Sequence, residues 1–133
     1  MGRAAALKLL LDTHALLWWA TLNAKLSAKA KRAIGDKKAE VYVSAASAWE
    51  VATKVRIGKL DWPPEAGTFR DYVVSQSFRP LPISLEHAEH AGQLPLDHRD
   101  PFDRMLIAQA LLEDMHLVTN ETAFDAAGVR RYW

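Results

Sequence analysis

Apolar and polar positions divide this chain into short segments whose spacing switches between strand and helix. Leu7-Lys8-Leu9-Leu10-Leu11 is a nearly unbroken apolar run closed by Asp12, which predicts a buried strand. Thr13 to Ala20 reads as one or two helical turns, and Ser27 is placed to cap a second helix through about Ala33 that Gly35 closes. Val41-Tyr42-Val43 predicts a second strand. Ser44 then caps a helix over Ala45 to Ile57, stopped by Gly58. Asp61-Trp62-Pro63-Pro64 breaks the chain, and Thr68 to Ser77 returns to helical spacing through Phe69, Tyr72 and Val73.

The second half repeats the alternation. Arg79 to Ile83 is extended, and its two prolines put it at a sheet edge. Ser84 caps a helix through about Gln93, and the loop Pro95 to Asp100 leads to Pro101 at the first position of a helix to about Met115. His116-Leu117-Val118-Thr119 predicts a strand, and Val129 to Trp133 a last one. Strands alternating with helices imply βαβ units, hence an α/β protein with a mainly parallel sheet and helices on both faces.

The 133 residues suit one domain spanning 1–133, long enough to bury about two-thirds of the unfolded surface. Half the residues are hydrophobic and a quarter charged, which excludes a disordered chain. With no cysteine there is no disulfide scaffold, thiolate zinc site or thiol nucleophile, and a reducing cytoplasm suits the chain. The stretch from Leu7 to Ala20 is broken by Lys8, Asp12 and His14, so neither a membrane span nor a signal peptide is expected. Met1-Gly2 is followed by Ala6, where a myristoylation signal carries Ser or Thr. Seventeen basic and sixteen acidic side chains leave a net charge of +1, so any nucleic-acid binding must come from local placement.

In open α/β sheets ligands collect beyond the carboxyl ends of the strands. Carboxylates recur there: Asp12 after the first strand, Glu50 on the helix after the second, Asp103 in the first turn of the helix before His116, and Glu121 after that strand. Each has an ordinary role as well. Asp12 can start a turn, and Glu50 stands four residues before Lys54 on a polar helix face with Ser47 and Thr53. Asp103 and Glu121 can serve as first-turn helix acids, with Asp100 as N-cap before Pro101. Taken singly, Glu50 and Glu121 read as surface groups; taken together at one sheet edge, the four read as a site. Clustered carboxylates without a nearby lysine or arginine repel one another, and a divalent cation relieves that repulsion. All-oxygen ligands favour Mg²⁺ or Mn²⁺ over zinc, and such ions suit phosphodiester hydrolysis.

The same residues carry a family resemblance. Leu-Leu-Asp12-Thr-His-Ala-Leu-Leu-Trp, Val-Ser-Ala-Ala-Ser-Ala-Trp-Glu50, Arg-Asp-Pro-Phe-Asp103-Arg-Met-Leu-Ile-Ala-Gln-Ala and Leu-Val-Thr-Asn-Glu121-Thr-Ala-Phe-Asp resemble four blocks of the PIN-domain ribonucleases. The likeness is greatest to the VapC-type toxins of type II toxin–antitoxin modules and runs over residues 7–133. It implies a three-layer α/β/α fold, Mg²⁺- or Mn²⁺-dependent endoribonuclease activity, a homodimer, and a small VapB-type antitoxin that inhibits the site. By that resemblance Asp12, Glu50 and Asp103 match the three acidic metal-site residues, and Thr119 a hydroxyl lining the site. Glu121 departs from the pattern, which has Asp there; its longer side chain can reach a metal directly or through water, and Asp125, one turn on, can share the role.

Rival readings follow from other residues. His87-Ala-Glu89-His90 falls one residue short of an H-x-x-E-H zinc pattern and reads as surface histidines. His14 and His98 flank the acidic blocks and read as packing or capping groups that can also reach substrate. Lys25, Lys29, Lys31 and Arg32 form a basic rim, and Arg99 and Arg104 lie beside the acids, where either a phosphate contact or a solvated face accounts for them. Trp18, Trp19 and Trp49 lie on helices, and the adjacent pair must point in different directions, which leaves one for an interface. A non-catalytic binding module and a metal-dependent DNA nuclease stay open beside the ribonuclease.

Overall fold

A strand covered on both faces carries apolar side chains at consecutive positions. The computed structural model describes residues 6–133 and shows this at β1 (Lys8–Leu11), where Leu9, Leu10 and Leu11 are all buried. Met1 and Gly2, read above for a modification signal, lie outside the described residues. After β1 come α1 (Thr13–Ala20), α2 (Ala28–Gly35), β2 (Glu40–Ser44), α3 (Ala45–Arg56), α4 (Phe69–Ser75) and β3 (Arg79–Leu81). The chain continues through α5 (Leu85–Gln93), α6 (Pro101–Leu112), β4 (His116–Val118) and β5 (Arg131–Tyr132). Short 3₁₀ segments at Pro64–Ala66 and Thr122–Ala127 complete it.

The five strands are all parallel, in the order β3-β2-β1-β4-β5, with Leu10 opposite Tyr42 on one side and Leu117 on the other. Side chains alternate across the sheet, so each strand feeds two cores. Leu9, Leu11, Val41, Val43 and Val118 pack with Ala15, Leu16 and Ile34 of α1 and α2 and with Val73 of α4. Leu10 and Leu117 pack with Ala91 of α5 and with Leu106, Ile107 and Ala110 of α6. The result is the expected three-layer α/β/α fold.

Two proline residues put Arg79 to Ile83 at an edge in the sequence, and β3 is an edge strand. α6 stops at Leu112, short of Met115, because Asp114 turns left-handed at φ 54° and redirects the chain into β4. Gly58, at φ 76° beyond α3, makes the corresponding turn at no steric cost.

A buried polar chain ties α3, α5 and α6 together. The Ser44 hydroxyl accepts from Ala46 N–H as the α3 cap and donates to Gln109 Oε1 at 2.5 Å. The Gln109 amide approaches His87 Nδ1 at 3.2 Å and donates to the Pro82 carbonyl at 3.3 Å. His87 Nδ1 also accepts from Ser84 N–H at 3.0 Å, which leaves Nε2 to donate to Glu113 at 2.9 Å. His87 is therefore not a surface histidine: it is 4% exposed, because its place in the α5 capping box turns the ring inward toward Gln109. Replacing Gln109 with Leu removes an acceptor and leaves the buried Ser44 hydroxyl without its partner. We expect a loss of about 1–3 kcal/mol in urea unfolding, with the fold retained.

Candidate active site at the carboxyl edge of the sheet

β1, β2 and β3 build outward on one side, and β4 then returns to the other side of β1. The sheet therefore reverses direction between β1 and β4, and a crevice opens there beyond the strand ends. Asp12 stands in it. Its backbone N–H donates to the Val118 carbonyl at 3.1 Å, and its Oδ1 accepts from Ala15 N–H at 2.6 Å as the cap of α1. The side chain that caps α1 is thus also the one that stands in the crevice. Asp12 is only 5% exposed, and burial pushes its carboxyl up to about 6. The Thr119 hydroxyl, the Ala15 N–H and the His14 side chain offset part of that rise, while the negative charge of Asp103 adds to it.

α3 follows β2 and so starts at the same edge, which carries Glu50 into the crevice from its second turn. Thr13 on α1 donates its hydroxyl to Ser47 on α3 at 3.1 Å, fastening the two helix starts together. Glu50 is 3% exposed; the polar helix face read from the sequence is turned inward at Ser47 and Glu50 and outward only at its margin. Glu50 Oε2 accepts from Lys54 Nζ at 2.5 Å, whereas Oε1 is buried with no partner. The expectation of acids without a neighbouring lysine is thereby corrected: an i,i+4 lysine reaches back along α3 and holds one oxygen.

α6 precedes β4 and runs back across the sheet, so its first turn also lies at this edge. Asp100 caps it, accepting from Phe102 N–H at 2.9 Å and Asp103 N–H at 3.3 Å. Asp103 is partly buried and its Oδ2 meets His98 Nε2 at 2.9 Å. Burial raises the Asp103 pKa, the His98 bond lowers it, and the charges of Asp100 and Glu50 raise it again. Asp12 feels Asp103 and Asp103 feels Glu50, so three acids from three elements form one electrostatic group.

Other expected residues fall outside that group. Glu121 is exposed at the start of the 3₁₀ segment, where its backbone N–H donates to Thr119 Oγ1 at 3.1 Å. Asp125 is exposed and clamped by Arg131 at 2.6 and 3.2 Å, which lowers its pKa. Arg104 faces inward. Its guanidinium donates to the carbonyls of Ala91, Leu94, Leu96 and His98 at 2.7–3.0 Å, so it braces the loop before α6 rather than a phosphate. In the basic rim, Lys25 and Lys29 lie over the rings of Trp18 and Tyr132. His98 and Lys54 were legible in the sequence as neighbours of acids; which acid oxygen each would hold was not.

Among the described residues no three acidic or imidazole groups stand close enough to form a ready-made chelate. The donor set nevertheless fits a hard divalent cation. It offers a buried carboxylate destabilised by desolvation, a buried carboxylate oxygen with no partner and a third acid whose charge couples to both.

Fold and site together define a three-layer α/β/α protein with an acidic crevice at the sheet's switch point. A family model for the PIN domain matches residues 9–129, and the chain belongs to that family. Among solved structures it is similar to VapBC2 from Rickettsia felis bound to a DNA fragment from their promoter. The TM-score there is 0.69 at 15% identity, covering 94% of this chain and 96% of that one. It is also similar to FitAcB from Neisseria gonorrhoeae, with TM-score 0.63 and 19% identity over 94% and 96% of the chains. A toxin–antitoxin complex from Klebsiella pneumoniae gives 0.57 and 20% over 85% and 86%. At these identities the likeness is one of fold. A comparison with curated proteins returns no significant match.

Two outcomes test this geometry. The folded protein binds the Asp12 proton more tightly than the unfolded chain, whose value is near 3.8, so this group's contribution to stability falls as pH rises from about 4 to about 6 and stays low above. Asp12→Asn keeps an N-cap and removes the charge, which relieves on the order of 2 kcal/mol. We expect the variant to melt several degrees higher than the parent in EDTA at pH 7.5, with the gap narrowing below about pH 6 and closing below about pH 4. Arg104→Lys keeps the charge but not the planar fork, and should cost about 1–3 kcal/mol and speed amide exchange over residues 94–100.

Proposed function

We propose that this chain is a Mg²⁺- or Mn²⁺-dependent endoribonuclease of the VapC type, the toxin of a type II toxin–antitoxin module. The observation that carries the reading is the buried, charge-coupled set Asp12, Glu50 and Asp103 at the switch point of a PIN-family sheet. Asp12 and Asp103 would hold the ion, with Glu50 completing the set through its unpartnered Oε1 and Glu121 serving as a secondary ligand from the crevice rim. A divalent ion held there polarises a phosphoryl oxygen and lowers the pKa of its water. The chain's own groups prepare the site. Thr119 and the α1 amide favour the ionised form of Asp12, Lys54 holds Glu50 in one orientation, and the His98 bond to Oδ2 fixes Asp103, whose Oδ1 has no hydrogen-bond partner among the described residues.

The toxin assignment is supported by the solved structures of similar fold, one of which is by description a toxin–antitoxin complex and another VapBC2. A VapB-type antitoxin is the partner this reading supplies. A homodimer fits the apolar side chains Leu22, Val74 and Leu85 left on the surface. No helix among the described residues is long and apolar enough to cross a membrane; under the proposed reading the protein works in the cytoplasm with its RNA.

The test is cleavage of total RNA with Mn²⁺, run beside EDTA, with single-stranded DNA as a second substrate. Asp12→Asn and Asp103→Asn should fall to the EDTA baseline, and Glu121→Gln should lose less than either. RNA cleavage undiminished in EDTA, or retained by both aspartate variants, would overturn the reading. Cleavage of DNA alone would move it to the DNA-nuclease rival. A sedimentation mass near 14.9 kDa at micromolar concentration would exclude the dimer.

A further inference from the structure

Trp18, Trp19, Trp62 and Trp133 are half-buried, and each has a place in the fold. Trp19 and Trp62 donate their indole N–H to Gln76 Oε1 at 3.0 Å and to the Gly67 carbonyl at 2.9 Å, and Trp18 packs edge-on against Trp133. Trp49 is different. It is 62% exposed, and its indole N–H, like those of Trp18 and Trp133, has no hydrogen-bond partner among the described residues. Its ring meets Phe102 at 4.9 Å and 80°, a contact that fixes the indole while leaving most of it open.

The position of that pair matters more than its exposure. Trp49 immediately precedes Glu50, and Phe102 immediately precedes Asp103, the two acids that feel one another's charge. The aromatic pair is therefore the rim of the acidic crevice. Along α3, Trp49, Thr53 and Arg56 share one face at i, i+4 and i+7, whereas the exposed Val55 lies roughly 120° around the helix. Arg56 is exposed and without an ion pair among the described residues, and Lys59 follows it. A flat aromatic flanked only by the small Ala45 and Ala52 and followed along its face by cations suits a polyanion with unpaired bases.

We propose that Trp49 is the stacking platform for an unpaired base of single-stranded RNA beside the cleaved phosphate, with Arg56 taking a phosphate further along the same face. The inference rests on the ribonuclease reading and adds to it the side chains that would hold an unpaired base beside the acids. Base–aromatic stacking needs no hydrogen-bond code, so the platform selects single strands without naming a sequence.

The experiment measures fluorescence anisotropy of a labelled single-stranded oligoribonucleotide against the Asp12→Asn protein in Mg²⁺, where the ribonuclease reading predicts no cleavage. Adding Trp49→Ala should raise Kd about tenfold, and Trp49→Phe should recover most of the loss. Kd for the same sequence as a full duplex should not move. Arg56→Gln should weaken binding and lower the salt slope by about one. If the parent binds RNA and Trp49→Ala binds the single strand equally well, or loses single strand and duplex alike, the platform is refuted while the ribonuclease reading stands. A changed sedimentation mass for Trp49→Ala would assign the ring to a contact between copies, and also refutes it. No RNA binding by the parent, or no cleavage by the unmodified protein, would bring down the ribonuclease reading and the platform with it.

Discussion

A carboxylate buried where two parallel strands part is the constraint around which this protein is organised. Asp12 must stand there because it ends β1 and caps α1 in the same step, so its backbone joins the sheet and its side chain closes the helix. Burial makes its charge expensive, and the proximity of Asp103 makes it more so. A hydrophobic residue at this position would relieve the charge but leave the first turn of α1 uncapped. The fold tolerates the charge because two cores, one on each face of the sheet, supply the stability that the crevice gives up.

The other two acids arrive by the same geometric rule. In a parallel sheet a helix that follows a strand begins at the carboxyl edge, and a helix that precedes one begins there too, since it must run back across the sheet. α3 thus delivers Glu50 from its second turn and α6 delivers Asp103 from its first, where the positive helix end also favours negative charge. Rigid side-chain work holds them in place. Ser47 ties α3 to α1, Gln109 ties α3 to α6 through the Ser44 cap, and Arg104 joins the Ala91 carbonyl of α5 to three loop carbonyls, including that of His98, which meets Asp103. Fully satisfied buried polar groups of this kind specify one arrangement among many that the apolar contacts alone would permit.

These braces explain why residues that look functional side by side in the chain have separate tasks. Asp103 and Arg104 are adjacent, yet on a helix neighbours point about 100° apart, so one faces the crevice and the other the loop. Trp49 and Glu50 divide in the same way, into an open rim and a buried donor. Selectivity and charge are thereby set by neighbouring residues that do not compete for the same space.

Much of the fold was readable from the chain. The apolar run at Leu9 to Leu11, the caps Ser27, Ser44, Ser84 and Asp100, and the prolines of the edge strand act through local rules, and the elements they predicted are present. Asp12, Glu50 and Asp103 could be ranked as candidates because position after a strand or in a first turn is a sequence property. What stayed hidden depended on which way a helix rolls against the sheet. A polar face at Ser47 and Glu50 reads as solvated until α1 and α6 cover it, and a histidine at His87 reads as surface until Gln109 stands opposite. Local sequence sets where a helix starts and what it carries; only packing decides which of its polar groups lose water, and that loss is what turns a charge into a site.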